Sequence, residues 1–279
     1  MKITKVVTDV VTVPLPEPIG SALGQIRDFG CILVTVETNS GIKGENLIFT
    51  LNNRRTKVLQ TTVQELSDLV IGHDAGHIAN FWARAWKDIN FLGHKGVTVM
   101  GISALDGAMW DAVGRSLNAP LYRLLGGAKT RVPVYHSGGL WLSLSESQLI
   151  AEAENFVDQG FKAIKMRLGL ADPRDDAARV RAVRKAIGPQ IKLMADANQG
   201  QTEAQAIRLG RLLEEHDLTW FEEPLPAWDL EGLARVSTAL DTPIASGETE
   251  YTRYGFRRML ELRSADILMP DLQLSLIHI

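Results

Sequence analysis

Apolar and polar positions follow two different rhythms along the chain. Over about the first 125 residues, alternation marks strands at 3–13 and 32–36. Asn39-Ser40-Gly41 has the chemistry of a tight turn leading into a partner strand at 42–48. The stretch 14–20, with prolines at 14, 16 and 18, predicts a surface loop. Helical periodicity follows: 54–70 carries apolar residues at 58, 59, 63, 66, 69 and 70, and 78–89 and 101–117 predict two further helices. Pro120 and the pair Gly126-Gly127 close this part, an α+β arrangement of strands followed by helices.

From residue 132 short apolar runs alternate with helical stretches. Strands are expected at 132–135, 163–166, 192–195, 219–221, 243–246 and 266–269. The first intervening helix opens with a capping box, Ser145-Glu146-Ser147-Gln148, and the second with Pro173, a favoured first-turn residue. Right-handed crossovers make such strands one parallel sheet. The chain therefore reads as α/β: an α+β domain over 1–127, then a partial (β/α)8-type barrel over 128–273. A closed barrel of this type has eight strands, so the pattern predicts truncation after about six. Residues 274–279 are apolar with no turn or helix signal, and they match one translated frame of a sequencing-library adapter. They are read as a non-native tail that nothing buries.

Composition narrows the chemistry. The 279 residues, 45% hydrophobic and 23% charged, leave ample material for a large core. A net charge of −3 argues against nucleic acid or an acidic membrane surface as partner. No apolar run approaches the length of a membrane span, and the N-terminus lacks a signal-peptide pattern, so a cytoplasmic location is expected. The single cysteine, Cys31, lies within an alternating strand and reads as a buried small residue in a reducing compartment.

Candidate chemistry sits where the strands end. Asp196, Glu222 and Glu248 recur at 26-residue intervals, one per strand-plus-helix unit, which predicts a row on one barrel rim. Converging carboxylates repel unless a cation neutralises them, and three hard oxygen donors with open positions suit Mg²⁺. The alternative is three solvated loop acids. Lys165 and Arg167, two apart on one strand, point to the same face. They read either as salt-bridge partners of neighbouring acids or as cations facing a metal-bound anion. His136, at the end of the first expected strand, is a candidate substrate contact, with a hydrogen-bonded rim histidine as the alternative. His94 reads as a loop residue, and Trp82, Trp86 and Trp110 read as core.

The motifs Lys165-Met166-Arg167, Asp196-Ala197-Asn198, Glu222-Glu223-Pro224, Gly247-Glu248 and Met269-Pro270-Asp271 together resemble the enolase superfamily, in particular its mandelate racemase/muconate lactonizing enzyme group. The segment 102–111 also resembles a helix these proteins carry ahead of the barrel. The resemblance implies a capping domain over a modified TIM barrel, with Mg²⁺ held by Asp196, Glu222 and Glu248. It implies abstraction of the proton α to a carboxylate, with the metal stabilising the enediolate, the pattern by which this superfamily runs carbon-acid chemistry near neutral pH. Lys165 would add positive charge beside the substrate carboxylate. Asn198 would be a polar contact near the metal, and Asp271 would orient a catalytic histidine on a following strand, beyond residue 273.

One departure shapes the expected reaction. The group's second motif lysine is Arg167 here, and a guanidinium is a poor base at neutral pH. A racemase needs a base on each face of its substrate, so dehydration of an acid sugar is expected ahead of racemisation or epimerisation of a 2-hydroxy acid. A non-catalytic scaffold is the alternative of another class. Expected partners are a small-molecule carboxylate and, for the full-length protein, further copies of itself. The chain as it stands, with unpaired sheet edges and no partner histidine, is expected to be poorly stable and inactive.

Overall fold

The computed structural model describes residues 1–22 and 24–275. Strands β1 (Ile3–Ser21), β2 (Gly24–Thr38) and β3 (Lys43–Leu51) form an antiparallel sheet in that order. Alternation along β2 buries Ile32, Val34 and Val36 and leaves Leu33 exposed, so the sheet has one dry face. Helices α1 (Thr56–Leu66), α2 (Ile78–Asp88) and α3 (Val97–Ser116) cover that face, followed by the short α4 (Leu121–Leu124). Their apolar stripes, including Leu59, Val63, Phe81, Ile102, Leu105 and Met109, close a continuous core with the sheet. Cys31 is buried and free, as its place in the strand predicts.

The proline-rich stretch 14–20 is not the loop expected from its breakers. It continues β1, pairing Ile19 with Ile26, Gly20 with Gln25 and Ser21 with Gly24. A register shift between Pro14 and Ile19 takes up the prolines, which have no amide hydrogen to offer a ladder. The resulting long hairpin reaches the second part of the molecule. Leu142 N donates to Gly20 O at 3.3 Å. The Ala22 methyl sits so close to Gly169 and Gly200 that a Cβ at either would approach it to 2.8 and 2.7 Å.

The second part is a parallel, barrel-like sheet in the order β4 (Ala163–Arg167), β5 (Lys192–Asp196), β6 (Leu218–Glu222), β7 (Ile244–Ser246) and β8 (Ile267–Leu268). Its outer layer is α5 (Glu146–Asp158), α6 (Pro173–Ile187), α7 (Glu203–Leu213), α8 (Leu230–Ala239) and α9 (Thr252–Leu262). The predicted capping box opens α5: Ser145 Oγ accepts from Gln148 N at 3.4 Å, and Gln148 Oε1 accepts from Ser145 N at 2.9 Å. Ile164, Met166, Leu193, Ala195 and Phe221 pack outward against Leu149, Phe156, Val180, Val183 and Leu209. Each fully buried aliphatic side chain contributes roughly 1.5–3 kcal/mol.

The expected first strand, 132–135, does not form. Only His136 bridges to Ile164, and Val132 and Val134 are 69% and 68% exposed. That register sets 132–135 beside the turn at Gly160 (φ 93°) that links α5 to β4, where no extended partner exists. Near the other end, α10 (Leu272–Ser275) packs against α3, with Ser103 Oγ donating to Leu272 O at 2.7 Å. The Gln273 amide bonds both Phe49 N (2.7 Å) and Phe49 O (3.2 Å) on β3. Leu274, expected to be uncovered, is buried; the rest of the tail reading falls mainly on 276–279, outside the described residues. Among the described residues no helix is long and apolar enough to cross a membrane.

Candidate active site

Period-two alternation in the parallel strands decides which side chains enter the barrel. With Ile164 and Met166 committed to the helix layer, Lys165 and Arg167 must point inward. By the same rule Met194 and Asp196 of β5, and Trp220 and Glu222 of β6, face the interior. The register Arg167↔Asp196↔Glu222 puts all three in one row across adjacent strands. Glu222, however, pairs with Ala245, so Glu248 stands three residues further along, beyond the end of β7. Equal sequence spacing therefore does not give an equal row; the stagger of the strands lifts Glu248 toward the rim. It is half-buried there, whereas Asp196 and Glu222 are sealed at 1% and 0% exposure.

The buried row is dense with charge. Lys165 Nζ bridges two acids, donating to Glu222 Oε1 and lying 3.2 Å from Asp196 Oδ2. Arg167 Nη1 donates to the same Asp196 oxygen. Asn198, in the left-handed region at φ 42°, turns back on Asp196: its N donates to Oδ1 at 2.8 Å and Nδ2 to Oδ2 at 3.2 Å. Asp271 lies near enough for its charge to raise the Glu248 carboxyl. Lys165, Arg167, Asp196, Glu222, Glu248, Asn198 and Asp271 thus gather at one end of the sheet. His136 does not join them. Its ring stacks on Phe156 of α5 at 3.7 Å and meets Phe161 edge-on, placing it in the layer between sheet and helix.

Burial and mutual repulsion raise the glutamates Glu222, Glu223 and Glu248. Glu222 is pushed up to about 7, first by burial and next by the charge of Asp196, against the opposing pull of Lys165. Glu223 rises to about 8 through burial and the neighbouring Glu248, and Glu248 itself is raised by burial and Asp196. Burial alone would lower Lys165, but Asp196 and Glu222 outweigh it and hold the ammonium charged. Among the described residues no three acid, histidine or cysteine side chains close on one point as they stand. The donor set nonetheless suits a hard divalent cation. It consists of carboxylate oxygens, with the buried Asn198 Oδ1 and Glu223 Oε1 lacking a protein partner.

Family models match both parts of the chain. Residues 3–126 match the mandelate racemase/muconate lactonizing enzyme N-terminal domain, and residues 148–275 match the enolase C-terminal domain-like family. The chain belongs to the mandelate racemase/muconate lactonizing enzyme group of the enolase superfamily. It is 36% identical over 270 residues to a 3,6-anhydro-alpha-L-galactonate cycloisomerase of Streptomyces coelicolor, covering 96% of this chain and 74% of that one. An arabinonate dehydratase of Saccharolobus solfataricus is 32% identical over 244 residues, covering 86% and 64%. Among solved structures, a Streptomyces coelicolor A3(2) racemase with bound magnesium superimposes with a TM-score of 0.94 at 36% identity, covering 97% of this chain and 76% of that one.

The cluster also holds residues that the sequence patterns did not mark. Trp220 Nε1 donates to Glu222 Oε2 at 2.8 Å, so both oxygens of this acid are fixed. Their i,i+2 spacing on one strand was a usable signal. Tyr135 lies edge-on to Trp220 at 5.3 Å, with Lys165 Nζ 5.8 Å from its ring, and burial raises its hydroxyl. Gln199 spans three loops: Nε2 donates to Glu223 Oε2 (3.0 Å) and Thr249 Oγ1 (3.3 Å), while Oε1 accepts from Ala227 N (3.0 Å). No local pattern marks Tyr135 or Gln199, because their partners are distant in sequence.

Proposed function

We propose that the site abstracts the proton α to the carboxylate of an acid sugar and completes a dehydration, with Mg²⁺ as cofactor. Asp196, Glu222 and Glu248 would hold the ion. When bound, Mg²⁺ supplies Lewis-acid stabilisation of the negative charge that develops on the substrate carboxylate. The chain's own groups do the rest. The Lys165 ammonium, kept charged beside two acids, offers its charge to an anionic substrate. Asn198 and Trp220 hold the oxygens of Asp196 and Glu222 at fixed angles, so little reorganisation is needed during reaction. Asp271 is proposed to orient the imidazole that acts as base.

The observation that carries dehydration over racemisation is Arg167. A guanidinium stays protonated at neutral pH, and this one is committed to Asp196, so it is not a second base. Elimination of a β-hydroxyl needs only one abstraction and one general acid. The dehydratase and cycloisomerase names of the relatives fit a one-base enzyme on sugar-derived carboxylates. The test is turnover of an acid-sugar panel in D₂O with Mg²⁺ by the protein that carries the histidine Asp271 would orient. A keto-acid product that forms only with Mg²⁺ supports the proposal. Exchange and inversion at C2 without a keto product would sink it in favour of racemisation.

A further inference from the structure

Helix α6 carries two buried charges that the proposed chemistry does not use. Its inner face is mostly apolar, with Val180, Val183 and Ile187 in the core. In its first turns, however, Asp176 and Arg179 are buried to 0% and 8% exposure. Both direct their hydrogen bonds at backbone rather than at each other. Asp176 Oδ2 accepts from Gly169 N and Leu170 N, each at 3.0 Å, and so grips the loop that follows β4. Arg179 Nη1 donates to Leu144 O at 2.8 Å and Nη2 to Trp141 O at 3.1 Å, gripping the loop between His136 and α5.

These two loops frame Arg167. The Trp141 ring lies 4.9 Å from the Arg167 guanidinium, a cation–π distance, and Arg167 N donates to Leu140 O at 3.0 Å. From the other side Glu152 of α5 accepts from Leu140 N at 2.6 Å. A chain of contacts therefore runs from Arg179, through the Trp141 backbone and ring, to Arg167 and on to Asp196. Apolar residues of similar size would leave Gly169 N, Leu170 N, Leu144 O and Trp141 O without these partners, while Asp176 Oδ1 and Arg179 Nε stay buried without one of their own.

We infer that Arg179 is a positioning residue, seconded by Asp176, which sets the Trp141 ring over Arg167 and thereby fixes Arg167 on Asp196. The inference rests on the proposed proton-abstraction site for its catalytic consequence, but not for its geometry. The two are separated by ¹⁹F NMR of the protein labelled with 5-fluorotryptophan. Among the six tryptophan resonances, the one lost in Trp141→Phe is that of Trp141. Removing the cation beneath it, in Arg167→Met, shifts that resonance in the parent protein. In Arg179→Met the Trp141 resonance moves or broadens while the other five hold, and its response to Arg167→Met disappears. Arg179→Lys, which can still reach one carbonyl, restores part of that response. It also decides the matter if Arg179→Met fails to fold. An unchanged Trp141 resonance that still responds fully to Arg167→Met in the Arg179 variants would overturn the inference. With an active acid-sugar substrate, kcat falls roughly tenfold to a hundredfold in Arg179→Met, as for displaced catalytic groups generally, and the melting temperature of Arg179→Lys stays near the parent value. Lost coupling without any acid-sugar turnover would leave the positioning role standing and remove the proposed function instead.

Discussion

The molecule holds two interiors that treat charge in opposite ways. Between the antiparallel sheet and α1–α3 the core is mostly Ile, Val, Leu, Phe, Met and Ala, although α3 also buries Asp106. Inside the parallel sheet, Lys165, Arg167, Asp196, Glu222 and Glu223 are all buried in neighbouring positions. The first interior is cheap to bury and tolerant of volume-conserving change. The second costs stability through desolvation and repulsion, and it persists because its charges complete one another. Buried ion pairs are a poor route to stability and a good one to a preorganised field.

The sharpest way to break this contrast is to remove one charge from each balance. Lys165→Met leaves Asp196 and Glu222 facing each other. Turnover should fall by about three orders of magnitude or more, and unfolding free energy by about 3–5 kcal/mol when the metal is withheld. Leu105→Ala in the other interior should lose roughly 2–5 kcal/mol, yet leave kcat per folded molecule unchanged. Urea unfolding beside steady-state kinetics separates the two; an equal kcat loss in both would erase the distinction. The next largest effect concerns Mg²⁺. At a hundred times its dissociation constant the ion should add about 2.7 kcal/mol to the parent protein, and none to Asp196→Asn/Glu222→Gln, as read by thermal melts.

Acidity sharpens the comparison further. Glu222 at about 7 and Glu223 at about 8 lie above the ordinary 4.5. Between those values the folded state binds more protons than the unfolded chain. Stability is therefore highest below about pH 4.5 as far as these groups are concerned, and it is lost as pH rises through about 7 and 8. Without metal the melting temperature should drop by several degrees across that window, and Mg²⁺ should flatten the fall. A flat metal-free profile would show that the acids are not crowded. The smallest effect is expected at His136. His136→Phe keeps the stack on Phe156 and removes a buried Nδ1 that has no partner, so it should be neutral or stabilising by about 1 kcal/mol in urea. A large rise in KM would return this residue to the substrate site.

Legibility followed the range of the interactions. Alternation, capping and the Lys-x-Arg, Asp-x-Asn and Glu-Glu-Pro motifs were enough to place β4–β8, α5–α9 and the acids at the strand ends. Each of these rests on contacts within a few residues. Proline content misled at 14–20, because a register shift with β2 overrode the local signal. Apolar alternation misled at 132–135, because a strand exists only where an extended neighbour can pair with it. His136 shows a similar dependence on distant partners: the side its ring takes is chosen by packing, and Phe156 supplies the packing.

The carboxylate ladder marks the boundary between the two kinds of information. Its 26-residue period, set by the length of one strand-plus-helix unit, was enough to put three acids at one end of a parallel sheet. Only the tertiary structure decided that Asp196 and Glu222 share a row with Arg167 while Glu248 stands beyond the strand, since stagger between strands is a property of their pairing. It alone also brought Tyr135, Trp141 and Gln199 to the site. Their contacts join segments far apart in sequence, and no periodicity within one segment encodes which distant segment it will meet.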